Sequence, residues 1–312
     1  MVDRVSTAGA YSAILQNLMA AESAQTDAEN RVSSQKNGDD LQAFSTQAET
    51  LTAMKAVDAR ITNYQSQNTL IAAKLTTQDT ALSGLASTAT AVQQAIANAL
   101  GTGDATSLMQ EVQGSFSDAV DGLNTQYNGQ YLFAGGQINT EPMTATSMTD
   151  LTSGPPISSF FQNDNFVASA KLDDSTTVST GQLASTLGTP MMQAFQAIQT
   201  LNDGPDGPLN GPLTATQQAD LTTMMQSWQG IATNLTTATA QNGLVQNQVS
   251  AAATALTTQQ NTLTGMIGNI TDADMAKAAT DLSNAQLSVQ ASAKVLQALQ
   301  SDSLLNLLPA TS

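Results

Sequence analysis

The side chains on which most enzyme chemistry depends are missing from this sequence. The 312 residues include neither cysteine nor histidine. This excludes thiol nucleophiles, disulfides and zinc thiolate sites, and it removes the commonest general base and metal ligand. Catalysis would have to rest on carboxylates such as Asp164, Asp173 and Asp174. Because acids in loops usually form turns or stay solvated, we expect no enzyme, no cofactor and no metal site.

Two other kinds of site are also disfavoured. The pair Gly135-Gly136 is not followed by Lys-Ser/Thr or by a helix start, so it is not a phosphate-binding loop. The net charge is −16, and Lys171 stands alone between Lys74 and Lys277. Without a basic stripe, the chain is not expected to bind nucleic acid or an anionic membrane surface.

Hydropathy indicates neither a membrane span nor a secretory signal. No apolar run approaches the ~20 residues needed to cross a bilayer. The apolar patch at 14–19 is interrupted by Gln16 and Asn17, unlike a signal-peptide core. We therefore expect a chain that is either cytoplasmic or exported without a cleavable signal peptide.

The polar surface is unusually poor in charge. Charged residues make up 11% of the chain, against about 25% in an average domain, and Thr, Ser, Gln and Asn take their place. Such neutral faces are suited to packing against copies of the same chain. The alternative is a monomer with an unusual surface.

A long helix must position this surface. From residue 54 to 99, the inward positions recur every three or four residues, which predicts the seam of a helical pair about 70 Å long. Here "seam" means those recurring positions. They are Met54, Val57, Ile61, Tyr64, Asn68, Ile71, Leu75, Gln78, Leu82, Leu85, Ala89, Val92, Ile96 and Ala99.

A second seam of similar length returns near the other end of the chain, which predicts an antiparallel partner. Polar seam residues such as Asn68 and Asn242 either set the register of the pair or are merely tolerated. The second seam comprises Leu221, Met224, Trp228, Ile231, Leu235, Ala238, Asn242, Val245, Val249, Ala252, Leu256, Gln259, Leu263, Met266 and Ile270.

Shorter seams lie at both ends of the chain. The N-terminal seam runs from Tyr11 to Val32 and the C-terminal seam from Met275 to Leu299, whereas residues 1–10 lack the repeat. An isolated helix of about three heptads is marginal in water. We therefore expect the N-terminal end to be disordered in the monomer and to order when its seam meets another.

Local signals predict several helix ends and turns. Gly101 to Gly103 should end the outgoing helix, Thr214 and Gln217 form a capping box for the returning helix, and Asp272 and Asp274 can cap the last one. Asn128-Gly129 is a turn signal, and helices are expected to begin near Leu41 and to run from Thr189 to Leu201.

Breakers and composition shifts divide the chain. The predicted fold class is mainly α, a long antiparallel bundle or coiled coil formed by both chain ends with a small β-containing central insert. The predicted segments are an N-terminal assembly helix (1–40), an outgoing rod (41–130), the central insert with strands and a short helix (131–213), a returning helix (214–270) and a C-terminal assembly helix (271–312).

Three stretches resemble bacterial flagellins and their hook-associated relatives. The C-terminal pattern at 269–292 and 303–308 is similar to the family's last helix. The N-terminal helix, the turn after it and the long second helix match the family layout. The central stretch 128–142 resembles the marker of the third hook-associated protein, at the junction of hook and filament. The marker residues are Tyr131, Leu132, Phe133, Gly135 and Gly136.

The resemblance implies an extracellular, self-assembling flagellar subunit. It would pass through the flagellar type III export channel with a chaperone and contact hook-associated protein 1 and flagellin. Its terminal helices would pack within and between subunits. The predicted assembly interface comprises Tyr11, Ile14, Leu18, Val32, Met275, Leu282, Val289, Leu296, Leu299, Leu304, Leu305, Leu307 and Leu308.

The sequence is also compatible with three other functions. A flagellin of the filament itself would differ from a junction protein in copy number and location rather than in chemistry. A cytoplasmic coiled-coil scaffold would share the seams without needing unfinished ends. A glycan-binding or adhesive insert is compatible with any surface location.

Overall fold

The computed structural model describes residues 2–38 and 43–305, with side chains described at 9, 11–38 and 43–300. Most of this part of the chain is helical. The helices are α1 (Val2–Ser34), α2 (Ala48–Thr102), α3 (Leu108–Leu123), α4 (Ala184–Asp203), α5 (Ala215–Thr271) and α6 (Met275–Leu305), with short 3₁₀ turns at Met148–Leu151 and Ile157–Phe160.

Two small antiparallel hairpins complete the described secondary structure. Strands β1 (Gln126–Tyr127) and β2 (Gln130–Tyr131) are joined by Asn128 and Gly129, whose φ angles of 51° and 76° give the tight turn that Asn-Gly favours. Strands β3 (Ser169–Lys171) and β4 (Thr177–Ser179) pair with Ala170 opposite Val178. The predicted fold class, mainly helical with a small β-containing insert, is confirmed.

The chain divides into two compact units. We call the residues up to Arg60 and from Gln259 onward the terminal unit, and Ile61–Thr258 the middle unit. Helices α2 and α5 contribute residues to both units. The predicted division into five segments stays a prediction.

Within the middle unit, α2 and α5 are antiparallel, as predicted. The side-chain amide of Gln65 donates to Thr257 Oγ1 at 3.4 Å, and that of Asn242 donates to the carbonyl of Leu75 at 2.9 Å. Residue numbers therefore fall along α5 as they rise along α2.

The outgoing seam is confirmed, because each of its predicted residues is buried or half-buried. The returning seam is confirmed as far as Leu256, and its later residues Leu263 and Ile270 are half-buried, but Gln259 and Met266 are exposed. Gln260, Ile267 and Thr271 face inward instead. An α-helix with 3.6 residues per turn drifts away from a strict seven-residue repeat. The seam positions predicted from the repeat therefore differ from the residues that are buried at this end of α5.

Several predicted boundaries were correct. Helix α2 ends at Thr102, before Gly103 with φ of 70°. Helix α5 begins with the predicted capping box: the Gln217 amide N–H donates to Thr214 Oγ1 at 3.2 Å, and the Thr214 amide donates to Gln217 Oε1 at 2.9 Å. Asp274 Oδ1 accepts the amide of Ala276 at 3.0 Å at the start of α6.

Three helix starts were wrong. Helix α1 begins at Val2 rather than near Tyr11, and α2 begins at Ala48 rather than near Leu41, which itself lies outside the described residues. Helix α4 begins at Ala184 rather than Thr189, with Pro190 inside it. Proline removes one helical hydrogen bond, and the burial of Ala184 and Leu187 holds the preceding turns in place.

The middle unit contains two hydrophobic clusters. In the larger, Phe195 stands edge-on to Phe116 and to Trp228, with ring centroids 5.4 and 4.7 Å apart. In the smaller, the hairpin of β3 and β4 packs on the rod. It consists of Leu75, Leu172, Val178, Val249 and Ala252.

Candidate assembly interface

In the terminal unit, backbone hydrogen bonds connect the end of α1 to the turn between α5 and α6, and we call this connection the joint. Gln35 adopts a φ of 58°, which stops the helix. The amide of Asn37 then donates to the carbonyl of Thr271 at 2.8 Å. The amide of Ala273 donates to the carbonyl of Gln35 at 2.9 Å. These bonds hold the end of α1 beside the start of α6.

An exposed ion pair reinforces this joint. The ammonium of Lys36 donates to Asp272 Oδ1, and Thr271 Oγ1 donates to the same oxygen at 3.1 Å. The hydrogen bond from Lys36 lowers the pKa of Asp272, and the hydroxyl of Thr271 lowers it further. The carboxylate is therefore charged at neutral pH.

Helices α1 and α6 run antiparallel from this joint, as the ion pair of Arg31 with Asp281 at 3.9 Å further along shows. Their most buried side chains are small. They are Ala21 and Ala28 on α1 and Ala278 and Ala285 on α6. Alanine lets the two helices come close but removes little apolar area from water.

Most predicted interface residues lie beside this alanine contact, within one chain. The half-buried ones are Ile14, Leu18, Val32, Leu282, Val289, Leu296 and Leu299. Tyr11 and Met275 are exposed. The side chains of Leu304 and Leu305 are not described, and Leu307 and Leu308 lie outside the described residues.

A second set of apolar side chains points into solvent, and of these the seam analysis included only Tyr11. On α1, Leu15 and Met19 follow Tyr11 at four-residue intervals, and Met19 is 62% exposed. On α6, Leu287 is 66% exposed and Val295 is also exposed. We call these five residues the outer stripes. The sequence did contain a signal for this second apolar face, because Leu15, Met19 and Val295 are each the neighbour in sequence of an apolar seam residue.

The marker residues build a tight loop after β2. Leu132 and Phe133 are buried in the large cluster, whereas Tyr131 is half-buried. Gly135 has a φ of 67°, and a Cβ there would collide with the carboxylate of Asp164. The amide of Gly136 donates to Asp164 Oδ1 at 2.8 Å. The marker is therefore a packing and turn motif that anchors the segment after Asp164.

The candidate acids of the insert have structural partners. The amide of Gly136, followed by that of Phe166, lowers the pKa of Asp164. The amide of Ser175 is the main cause that lowers the pKa of Asp173, which forms the predicted turn. Asp174 accepts the hydroxyl of Tyr64 at 3.1 Å. Carboxyls with lowered pKa values hold no proton at neutral pH that a general acid could donate.

Searches of the described residues for two other features gave negative results. They contain no group of three or more carboxylates placed to hold a metal ion. None of their helices has an apolar stretch long enough to cross a bilayer.

Comparison with known proteins points to one family. Residues 225–308 match the family model of the bacterial flagellin C-terminal helical region. No curated protein matches the sequence at a significant level.

Two solved structures have the same fold. A protein from Vibrio parahaemolyticus, assigned as a flagellar hook-associated protein, is 14% identical with a TM-score of 0.59, and the match covers 72% of this chain and 97% of that one. FlgL from Bacillus cereus is 16% identical with a TM-score of 0.53, and the match covers 70% of this chain and 99% of that one. The resemblance to the flagellin and hook-associated protein family is thus confirmed, by sequence in the C-terminal helical region and by fold in the part that these structures cover.

Proposed function

We propose that this chain is a non-catalytic structural subunit of the bacterial flagellum that forms the junction between hook and filament by self-assembly. The observation that carries the proposal is the incomplete packing of the terminal unit. Its helices meet through alanines and leave the outer stripes in solvent. On α1 these side chains follow one another at four-residue intervals as an apolar strip, which is typical of a protein interface.

In this proposal, copies of the chain cover the outer stripes, and the seam residues named above contribute within and between copies. Hook-associated protein 1 and flagellin are the neighbours on either side. The subunit reaches the cell exterior through the flagellar type III export channel, assisted by a chaperone. The similarity to a protein named FlgL supports the junction role over other axial positions.

A filament flagellin is the second candidate, because the matching family model describes flagellins. Antibody labelling of intact flagella separates the two, and electron microscopy of a strain lacking this chain separates the junction role from that of one flagellin among several. Hooks without filaments are expected for a junction protein. Filaments that persist, or an antibody signal along the whole filament of the parent strain, would contradict the junction role.

The self-assembly surface is tested by placing a charge in an outer stripe. Leu287→Glu should reduce incorporation into flagella about tenfold, because a carboxylate would be desolvated between copies. Gln286→Glu adds the same charge at the neighbouring exposed position of α6 and is the matched control. Equal incorporation of both variants would show that the Leu287 face is not covered.

A further inference from the structure

A groove of about 330 Å³ runs between α4 and α5 in the middle unit. Its floor is apolar and buried. The floor residues are Leu187, Ile231, Leu235 and Ala238. Its rim carries amide and hydroxyl side chains, including Gln182, Asn234 and Gln241. Leu244 is exposed one helical turn after Gln241 and extends the same face of α5.

The groove contains no ionisable side chain, which is informative in a chain with a net charge of −16. Asp220 is the only charged residue in the whole of α5. By contrast, a second pocket of about 440 Å³ at the other end of α4 is lined by Asp206 and Asp220. The groove is thus a neutral surface on an acidic protein.

A complementary ridge lies on α2 of the same unit. Leu70 is 62% exposed, and its neighbours one turn away, Ser66 and Ala73, are small and exposed. The nearest charge along the helix is Lys74, which is half-buried, and desolvation lowers its pKa. None of these residues lines the groove, so ridge and groove are separate surfaces.

We propose that the α4–α5 groove binds the Leu70 ridge of a neighbouring copy of this chain. Leu70 would enter the apolar floor, and the amide oxygens of the rim would accept hydrogen bonds from Lys74. Because the two surfaces differ, the contact is heterologous and repeats from copy to copy, as a ring or tube requires. This inference rests on the proposed self-assembly and adds a contact outside the terminal unit.

Charge favours a second copy over a basic partner. Two chains of net charge −16 repel each other wherever their carboxylates meet. A shared interface is therefore most favourable where carboxylates are absent, and neither the groove lining nor the Leu70 ridge contains one. A basic partner would instead favour an acidic pocket such as the one with Asp206 and Asp220.

Disulfide trapping tests the contact, since the chain has no cysteine of its own. The double variant Leu70→Cys/Asn234→Cys is expressed in a strain lacking the chain, and its purified flagella are oxidised. Non-reducing gels should show a ladder of linked copies, which a heterologous contact produces. The control, Leu70→Cys/Ser117→Cys, places the second thiol on an exposed position of α3 away from the groove.

The outcomes distinguish this inference from the proposed function. A ladder in the Leu70→Cys/Asn234→Cys variant that is missing from the Leu70→Cys/Ser117→Cys control supports the contact. No ladder in either variant, or equal ladders in both, overturns it. A parent chain that is absent from flagella would instead overturn the proposed function.

A charge substitution gives a second measurement without crosslinking. Asn234→Glu should lower incorporation about tenfold relative to Ser117→Glu, because it places a carboxylate in the shared surface. Circular dichroism melting of the two purified chains checks that both fold. Equal incorporation would also overturn the contact.

Discussion

The terminal and middle units are built from the same kind of helix but bury very different side chains. In the middle unit, Phe116, Phe195 and Trp228 interlock in one cluster with leucines and methionines. The α1–α6 contact of the terminal unit rests on alanines. Since stabilisation follows the apolar area removed from water, the middle unit can fold on its own contacts, whereas the terminal helices depend on what covers them. Each of the following measurements tests that difference.

Hydrogen exchange should show the largest contrast. In the isolated chain, amides of residues 13–28 in α1 should exchange at least about a thousandfold faster than amides around Trp228, because local opening costs far less than global unfolding. Assembly should then slow exchange in α1 while leaving the Trp228 region unchanged. Equal protection of α1 in the monomeric and assembled states would remove the contrast.

Truncation of a core aromatic should have the next largest effect. Phe195→Ala should lower the free energy of unfolding of the middle unit by about 3–5 kcal/mol, through lost burial and the resulting cavity. Fluorescence of Trp228, the single tryptophan of the chain, reports the transition. Phe166→Ala is the matched control, because Phe166 is 59% exposed and should change stability by less than about 0.5 kcal/mol. Similar losses in both variants would show that the cluster does not dominate stability.

Two buried asparagines of the rod sharpen the comparison within the middle unit. The side-chain amide of Asn68 donates to the carbonyl of Leu172 at 3.0 Å, and Leu172 is fully buried. Asn68→Leu should destabilise the chain by about 1–3 kcal/mol, since this carbonyl loses its side-chain partner. The asparagine therefore fastens the hairpin of β3 and β4 rather than pairing with α5.

Asn242→Leu should cost less, leaving stability within about 1 kcal/mol of the parent chain. Its acceptor, the carbonyl of Leu75, also accepts from Gln246 at 3.2 Å, so this carbonyl keeps a side-chain partner when Asn242 is replaced. Asn242 donates in addition to Asp79 Oδ1 at 3.2 Å. The side-chain Oδ1 of both asparagines is buried without a hydrogen-bond partner, so its removal does not distinguish the two variants. Denaturant titration compares the variants, and equal losses of stability would contradict the distinction.

The joint between α1 and α6 should show the smallest effect, through pH. Lys36 holds the pKa of Asp272 below its ordinary value. A depressed pKa contributes stability above the ordinary value, and that contribution is lost as pH falls through the folded value, below about pH 4. In the parent chain, the protection of the Asn37 and Ala273 amides against hydrogen exchange should therefore fall as the pH drops through that range. In the Asp272→Asn variant this pH-dependent loss of protection should be absent. Identical profiles in both chains would show that the ion pair does not hold the joint.

Much of the architecture could be predicted because periodicity is local information. The spacing of Ile61, Leu75 and Leu82 determines one buried face of α2 whatever covers it. Capping at Thr214 and Gln217 and the turn at Asn128-Gly129 are equally local. The late part of the returning seam could not be read in this way, because helical drift decides whether Gln259 or Gln260 faces inward.

The candidate interface was only partly accessible from the sequence. Apolar spacing found the face on which α1 and α6 meet but could not separate it from the outer stripes, since Leu18 and Met19 are equally apolar neighbours. Likewise, Asn68 and Asn242 look alike in the seams.

The sequence by itself determined the long helices, their inward faces, the turns between them and the absence of thiol and imidazole chemistry. Only the tertiary structure decided which apolar residues are left in solvent, where the neutral groove lies and which carbonyl each buried asparagine reaches. The reason is physical: helix periodicity and capping depend on neighbours in sequence, whereas exposure and hydrogen-bond partners depend on segments more than a hundred residues apart.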